Sequence, residues 1–287
     1  MALNLKTLAT RSISAAVFVI LLVGCVYWSY ISFAIFFFVV SLIGLHEFYK
    51  ISEKMGAKPF EITGLIFGLL TFFSFFDAGY NEPGSTLYIV NNVQKIARVI
   101  AMLGPFVILS IAMFSKAENS VKNALFTIGG IIYVVLPFAL LNLIAFREMG
   151  CEGSYYTPKL ILGIIFLIWS NDTFAYLGGS LFGKNKMIER VSPGKTWEGT
   201  IIGILITFGL SFIFNRFIFD LGNYTWPTLG IAVPILATIG DLIESKLKRE
   251  AGVKDSGNIM PGHGGVLDRF DSLIFVSPFV FVILQLL

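Results

Sequence analysis

Charge is scarce in this chain. Asp, Glu, Lys and Arg make up 14% of its 287 residues, against about 25% in soluble domains. With 56% hydrophobic residues and 29 Phe, that scarcity excludes an ordinary soluble domain and points to an integral membrane protein. Histidine and cysteine are scarcer still, at two each. Cys25 and Cys151 stand far apart with no CxxC or His/Cys cluster, so neither a zinc site nor a disulfide framework is expected. The formal net charge is only +3, too small to suggest nucleic acid as a partner. Repeats, low-complexity tracts and long linkers are also missing.

What is present is apolar helix. A membrane helix needs about 20 apolar residues. The expected fold is all-α, a polytopic transmembrane bundle of about nine spans. The candidates are 12–28, 29–46, 62–77, 97–115, 124–146, 159–183, 199–219, 226–248 and 271–287. The first two follow so closely that they predict a tight hairpin, and the boundaries between 91 and 122 are the hardest to place. The run from Ile13 to Trp28 lacks a small-residue cleavage site, so it reads as a retained span. Residues 1–120 read as N-terminal membrane helices. Residues 121–287 read as the part that carries the chemistry, with polar loops at 184–198 and 249–270. With the N-terminus in the cytoplasm, sixteen of the 21 Lys and Arg fall on the inside. That asymmetry puts both polar loops in the cytoplasm. The short loops suggest a bacterial inner membrane.

The first loop grows out of a helix that is apolar until Asp172. Asp172, Tyr176, Gly179 and Gly183 are spaced to share one helical stripe. The glycines suit either a close helix contact or a close ligand. Beyond them, Ser192, Lys195 and Thr196 surround a Pro-Gly turn that can wrap phosphates. The GKT here is not a Walker motif, because Glu189 stands where that motif needs glycine.

The second loop, DLIESKLKREAGVKDSGNIMPGHGGVLDRFD from Asp241 to Asp271, is the densest in charge. Ionisable groups at membrane depth are expensive, so their default reading is a functional site. Asp241, Ser245 and Lys248 share a helix face, and Glu244 falls near it. Lys254 and Asp255 follow a turn, and the PGHGG run ending in Gly264 and Gly265 lets backbone approach a ligand. His263 suits a hydrogen bond or a proton transfer. Asp268 and Asp271 open the last helix, where acids also suit the positive helix end. Asp241 and Asp268 are expected to converge on one hard cation, Mg²⁺, with Asp172 and Asp271 completing a two-metal arrangement. The other histidine, His46, and its neighbour Glu47 read as an interfacial, structural pair.

The second loop resembles the phosphatidate cytidylyltransferases, or CDP-diacylglycerol synthases. Ser245, Leu247, Lys248 and Arg249 match the opening of their pattern, followed by Lys254 and Asp255. Gly257, Pro261, His263, Gly264, Gly265, Val266, Asp268, Arg269, Phe270 and Asp271 complete it. Met260 stands where the family has Ile, Leu or Phe, a volume-conserving change. NDTFAYLGGSLFGK and SPGKTWEG also look like family segments, whereas the first 150 residues match in hydropathy alone. The resemblance implies that CTP and phosphatidic acid react to CDP-diacylglycerol and pyrophosphate, with Mg²⁺ and room for a second cation. It implies Asp241 and Asp268 as metal ligands supported by Asp172 and Asp271. Ser192, Lys195 and Thr196 are assigned to the triphosphate, and Lys248, Arg249, Lys254 and Arg269 to lipid phosphate or leaving pyrophosphate. Ser245, Asp255, Gly264 and Gly265 line the substrates, and His263 assists. The expected partners are the two substrates and the bilayer, with a homodimer as the expected assembly.

Two other classes compete. A CTP-dependent polyprenol or lipid kinase would transfer the γ-phosphoryl group instead. A secondary transporter would use Asp172 and Asp241 as coupling-ion sites, but it needs a midplane site reachable from both sides, and the polar groups here cluster at one face. The DGxxAR signature of CDP-alcohol phosphotransferases is absent.

Overall fold

The computed structural model describes residues 5–76, 86–148, 154–217, 224–259 and 264–287. The chain forms two compact units. One is Met1–Tyr156 with Glu250–Phe270, and the other is Thr157–Arg249 with Asp271–Leu287. Residues 120 and 121, where the sequence suggested a division, lie inside the first.

The first unit contains α1 (Leu5–Trp28), α2 (Tyr30–Lys54), α3 (Glu61–Ser74), α4 (Thr86–Phe114) and α5 (Ser120–Gly130). A π-helical turn at Ile131–Val135 leads into α6 (Leu136–Ile144), then into a hairpin of β1 (Phe146–Glu148) and β2 (Ser154–Tyr156). The turn between α1 and α2 is the single residue Ser29. Its hydroxyl accepts the Ser32 N–H at 3.1 Å while Ser32 Oγ accepts the Ser29 N–H at 3.1 Å, a reciprocal cap that ends one helix and starts the next. The π turn precedes Pro137 at the start of α6. Proline has no N–H to give to the helical ladder, and the turn absorbs the change of register.

Aromatic packing fixes the core of this unit. Phe33 lies 5.0 Å from Phe37, and Phe37 lies 5.7 Å from Phe138. Phe270, at the end of the charged motif, packs edge-on against Phe138 at 5.6 Å and Phe18 at 5.5 Å. Such pairs add about 0.5–1.5 kcal/mol beyond their area, so the motif segment is anchored in α1, α2 and α6. Tyr156 donates to the Val26 carbonyl at 2.5 Å. Burial pushes its phenol well above the usual range, which keeps that donor protonated.

The second unit contains α7 (Pro158–Phe182), β3 (Lys186–Ile188), β4 (Ser192–Thr196), α8 (Trp197–Phe217), α9 (Thr225–Glu250) and most of α10 (Leu267–Leu286). Trp226 is fully buried against Gly163, where any β-carbon would strike its ring.

The all-helical expectation holds, apart from the two short hairpins, which apolar periodicity does not announce. The count of nine spans is not confirmed. Among the described residues, six helices are long and apolar enough to cross a membrane. They are Tyr30–Lys54, Asn92–Phe114, Ser120–Ile144, Pro158–Phe182, Trp197–Phe214 and Thr225–Glu250. The expected spans at 12–28 and 62–77 are shorter apolar helices, Ser12–Trp28 and Glu61–Ser74. The 14 residues of α3 rise about 21 Å at 1.5 Å each, short of a hydrocarbon core of about 30 Å.

Candidate active site

Asp172, Asp241 and Asp271 all belong to the second unit, and its helix packing gathers them. Helices α7 and α8 cross at glycine. A β-carbon on Gly199 would lie 2.8 Å from the Gly179 backbone, and one on Gly178 would lie 2.9 Å from Ile202. Helix α9 approaches α10 at Gly240, where a β-carbon would lie 2.9 Å from the Asp271 carbonyl. Ser272 Oγ donates to the Ala237 carbonyl at 3.2 Å across the same contact. Asn171 Nδ2 donates to Thr238 Oγ1 at 3.4 Å, tying α7 to α9. Small residues therefore draw the four helices together with one acid on each of α7, α9 and α10.

The acids feel one another. Asp172 interacts electrostatically with Lys195 and Asp241, and Asp271 with Asp241, Asp172 and Lys248. Lys195 Nζ sits 2.5 Å from Asp241 Oδ2, and Ser245 Oγ donates to Asp241 Oδ1 at 3.1 Å. A cavity of about 450 Å³ opens beside Asp172, Asp241 and Lys195. The stripe read from the sequence, Asp172, Tyr176, Gly179 and Gly183, lines it. The glycines of that stripe serve the helix contact: Gly179 faces Gly199 and Thr196, and Gly183 faces Thr196.

The expected phosphate loop is a β-hairpin, with Lys186 opposite Thr196 and Ile188 opposite Ser192. Lys186, Ser192 and Lys195 all line the cavity. Glu198, at the start of α8, clamps the base of the hairpin. It accepts the N–H groups of Lys184 at 3.2 Å and Asn185 at 3.1 Å, and Asn185 Nδ2 at 2.7 Å. Thr196 also lines the cavity, but its Oγ1 accepts the Gly199 N–H at 3.2 Å. Its hydroxyl therefore already works as the N-cap of α8. Arg249 Nε donates to the Val191 carbonyl at 3.3 Å, which joins the end of α9 to the hairpin. Lys248 forms an ion pair with Glu244, which is 2% exposed. The sequence had placed Glu244 near that face without a role.

The rest of the motif belongs to the first unit and is knotted around two carboxylates. Asp268 Oδ2 accepts the Ser256 N–H at 2.9 Å, the Ser256 hydroxyl at 3.0 Å and the Gly265 N–H at 2.7 Å. Glu47 accepts the Val266 N–H at 3.0 Å and the Leu267 N–H at 2.9 Å, and it shares the single proton of the Ser256 hydroxyl, 2.9 Å away, with Asp268. Gly264 has φ +84°, and a β-carbon there would strike Asp268 Oδ2; one on Gly265 would strike Ser256 and Glu47. These glycines make room for internal carboxylates, whereas the sequence suggested room for a ligand. Lys254, Asp255 and Arg269 are exposed. His263, with Met260–Gly262, lies outside the described residues, as does Cys151.

Glu47 is what sequence reasoning misjudged. His46 is partly exposed and bonds Glu61 at 2.5 Å, as an interfacial residue does. Glu47 is only 4% exposed. One signal was available: Gly44, Glu47, Phe48 and Ile51, at helical spacing, form a continuous buried face of α2.

The second-unit acids suit a hard divalent cation. Their donors are carboxylate and hydroxyl oxygens, and three acids outnumber the lysine at Asp241. Among the described residues, no three His, Cys, Asp or Glu side chains already form a metal shell. Mg²⁺ does not require one, since it is held by one or two carboxylates with waters and substrate phosphates.

The chain is similar to known cytidylyltransferases. The model of the Cytidylyltransferase family matches residues 9–287. The phosphatidate cytidylyltransferase of Haemophilus influenzae is 32% identical over 253 residues, covering 86% of this chain and 88% of that protein. The phosphatidate cytidylyltransferase of Staphylococcus epidermidis is 35% identical over 252 residues, covering 87% and 88%. That of Staphylococcus aureus strain COL is 38% identical over 194 residues, covering 67% and 70%. A family match over residues 9–287 means that this chain belongs to the cytidylyltransferase family.

Proposed function

We propose that this chain transfers the cytidylyl group of CTP to phosphatidic acid, giving CDP-diacylglycerol and pyrophosphate. One observation carries the proposal: Asp172 and Asp241 line a cavity with Lys195 among apolar helices, and Asp271 interacts with both acids. Acids and cations in one pocket suit phosphate chemistry, and apolar helices suit a lipid co-substrate.

An oxygen of the lipid phosphate attacks the α-phosphorus of CTP. The bond from that phosphorus to the bridging oxygen breaks, and its electron pair leaves on pyrophosphate. The lipid phosphate is already ionised, so no protein nucleophile is needed. Lys195, Lys186 and Ser192 hold the triphosphate against the acids. Magnesium, held by Asp241 with Asp172 and Asp271, would neutralise charge on the triphosphate and orient attacking and leaving oxygens. Arg249, Lys254 and Arg269 offer charge to the lipid phosphate or the leaving pyrophosphate. Asp268 stays with the reaction because of the motif it stands in. The protein is assigned to the bacterial inner membrane, with the N-terminus and both polar loops in the cytoplasm, in keeping with its Lys and Arg distribution.

The test is to supply the purified protein with CTP labelled at the α or the γ position, with and without EDTA. Label reaching lipid from the α position, and lost with EDTA, is expected. Label from the γ position only would mean a kinase and would overturn the proposal.

A further inference from the structure

Glu47 lies far from the motif in the chain and belongs to no functional reading so far, yet its carboxylate is spent entirely on that motif. Oε1 accepts the Val266 N–H at 3.0 Å. Oε2 accepts the Leu267 N–H at 2.9 Å and shares the single proton of the Ser256 hydroxyl, 2.9 Å away, with Asp268. Val266 and Leu267 are the last residue before α10 and its first residue. Their N–H groups are therefore among those a helix leaves without partners of its own. An acid at a helix N-terminus also meets the positive end of the helix. Glu47 thus supplies the cap of α10 from another helix.

The connection continues to Asp268. The Ser256 hydroxyl lies 2.9 Å from Glu47 and 3.0 Å from Asp268 Oδ2. The Ser256 N–H adds a bond to Asp268 at 2.9 Å, and the Gly265 N–H another at 2.7 Å. Loop and carboxylates are fitted to each other. A β-carbon on Gly257 or on Gly265 would strike Glu47. Beneath this knot, Gly44 of α2 packs so that a β-carbon there would lie 3.2 Å from Leu267. One face of α2 thus seats the start of α10 and carries the acid that fixes it.

We infer that Glu47 is a positioning residue for the cytidylyl transfer: through Ser256 and the N–H groups of Val266 and Leu267 it sets the direction of the Asp268 side chain. The inference rests on the reading of Asp268 as a residue of that reaction. A buried carboxylate that only stabilised α2 would need partners near α2. The partners of Glu47 stand 209 to 220 positions away, within the motif.

Two variants test it in the full-length, detergent-solubilised protein. Glu47→Gln replaces one acceptor oxygen with an NH₂ group that faces donors. Ser256→Ala removes the hydroxyl between the two acids while keeping the size of the loop. Both should lower kcat, Glu47→Gln by about 10–100-fold, the scale of a catalytic group displaced by about 1 Å. The Michaelis constant for CTP should change less than about threefold, because the triphosphate is assigned to the cavity of the second unit. Hydrogen exchange should accelerate in peptides covering 256–268 and stay at wild-type rates in α7 and α8. The inference is overturned by a Glu47→Gln kcat within twofold of wild type. It is also overturned by loss of protection throughout the protein, the sign of a merely structural acid. Wild-type protein that moves no α-label into lipid would sink the proposed reaction instead. The exchange measurement would still read whether Glu47 fixes the loop.

Discussion

In the second unit, Asp172, Asp241 and Asp271 interact with one another, the first two beside a cavity, and Asp241 is bonded by a lysine on a long, flexible stem and by the Ser245 hydroxyl. In the first unit, Glu47 and Asp268 confront backbone N–H groups and one serine hydroxyl, all at fixed positions. Both regions set carboxylates among apolar helices. A carboxylate facing other carboxylates is poorly satisfied and gains when a cation arrives. A carboxylate facing several N–H donors already has its hydrogen-bond partners, and each such bond is worth about 1.5–3 kcal/mol. The partners of an acid therefore separate the group that meets charge during the reaction from the group that holds the machinery still.

The largest effect is expected where the acids repel. Asp241→Asn removes the carboxylate that links Lys195 to the cluster, and turnover should fall about 10³-fold or more, the scale of losing a metal or charge-stabilising group. Folding should survive, because the variant relieves repulsion. The measurement is α-label transfer to lipid alongside the elution profile of the protein in detergent. Asp241→Asn with activity within tenfold of wild type would remove this cluster from the chemistry.

In the first unit the same kind of loss should come from crowding rather than from charge. Gly265→Ala places a methyl group where the Ser256 hydroxyl and the Glu47 carboxylate already lie. Overpacking of this kind costs about 1–3 kcal/mol, and the displaced loop should cost about 10²-fold in turnover. Unlike Asp241→Asn, it should also lower the thermal midpoint. If Gly265→Ala kept the wild-type midpoint and lost activity alone, the glycine would be leaving room for a ligand, as the sequence first suggested.

The two regions also differ in how far the sequence reveals them. The stripe from Asp172 to Gly183 is visible because helical spacing carries its residues to one side, and they do line one cavity. The length of α3 was overread, since apolar residues run on past the helix end at Ser74. The β3–β4 hairpin was invisible because SPGKT has no alternation of apolar and polar residues. Thr196 was read for its hydroxyl, and nothing in the string shows that the hydroxyl caps α8. Glu47 was hidden most deeply. An acid at the polar end of an apolar helix looks like a head-group contact, and its partners are over 200 residues away. Periodicity reports which face of α2 is buried, not what covers it.

Lys195→Ala sharpens the contrast at smaller amplitude. Removing the ammonium takes away a cation of the cavity and leaves Asp241 without the lysine. The Michaelis constant for CTP should rise about tenfold, the value of one charge-assisted contact, with a smaller rise for the lipid. Initial rates measured while one substrate is varied at saturation of the other decide it. A larger rise for the lipid would move Lys195 from the nucleotide to the lipid phosphate.

Glu198 offers the finest division, because it is a carboxylate of the second unit held in the manner of the first. It accepts two N–H groups and one amide nitrogen at the base of the hairpin that carries Ser192 and Lys195. Those donors hold the carboxylate at the base of the hairpin. Glu198 is half-buried, so water can replace part of what a substitution removes. Glu198→Gln should therefore raise the Michaelis constant for CTP only about threefold, with kcat nearly unchanged, since surface contacts contribute about 0–1 kcal/mol. If Glu198→Gln instead lowered kcat as steeply as Asp241→Asn, carboxylates facing N–H donors and carboxylates facing other acids would not be doing different jobs. The division between holding and reacting would then follow the unit an acid belongs to, not the partners it keeps.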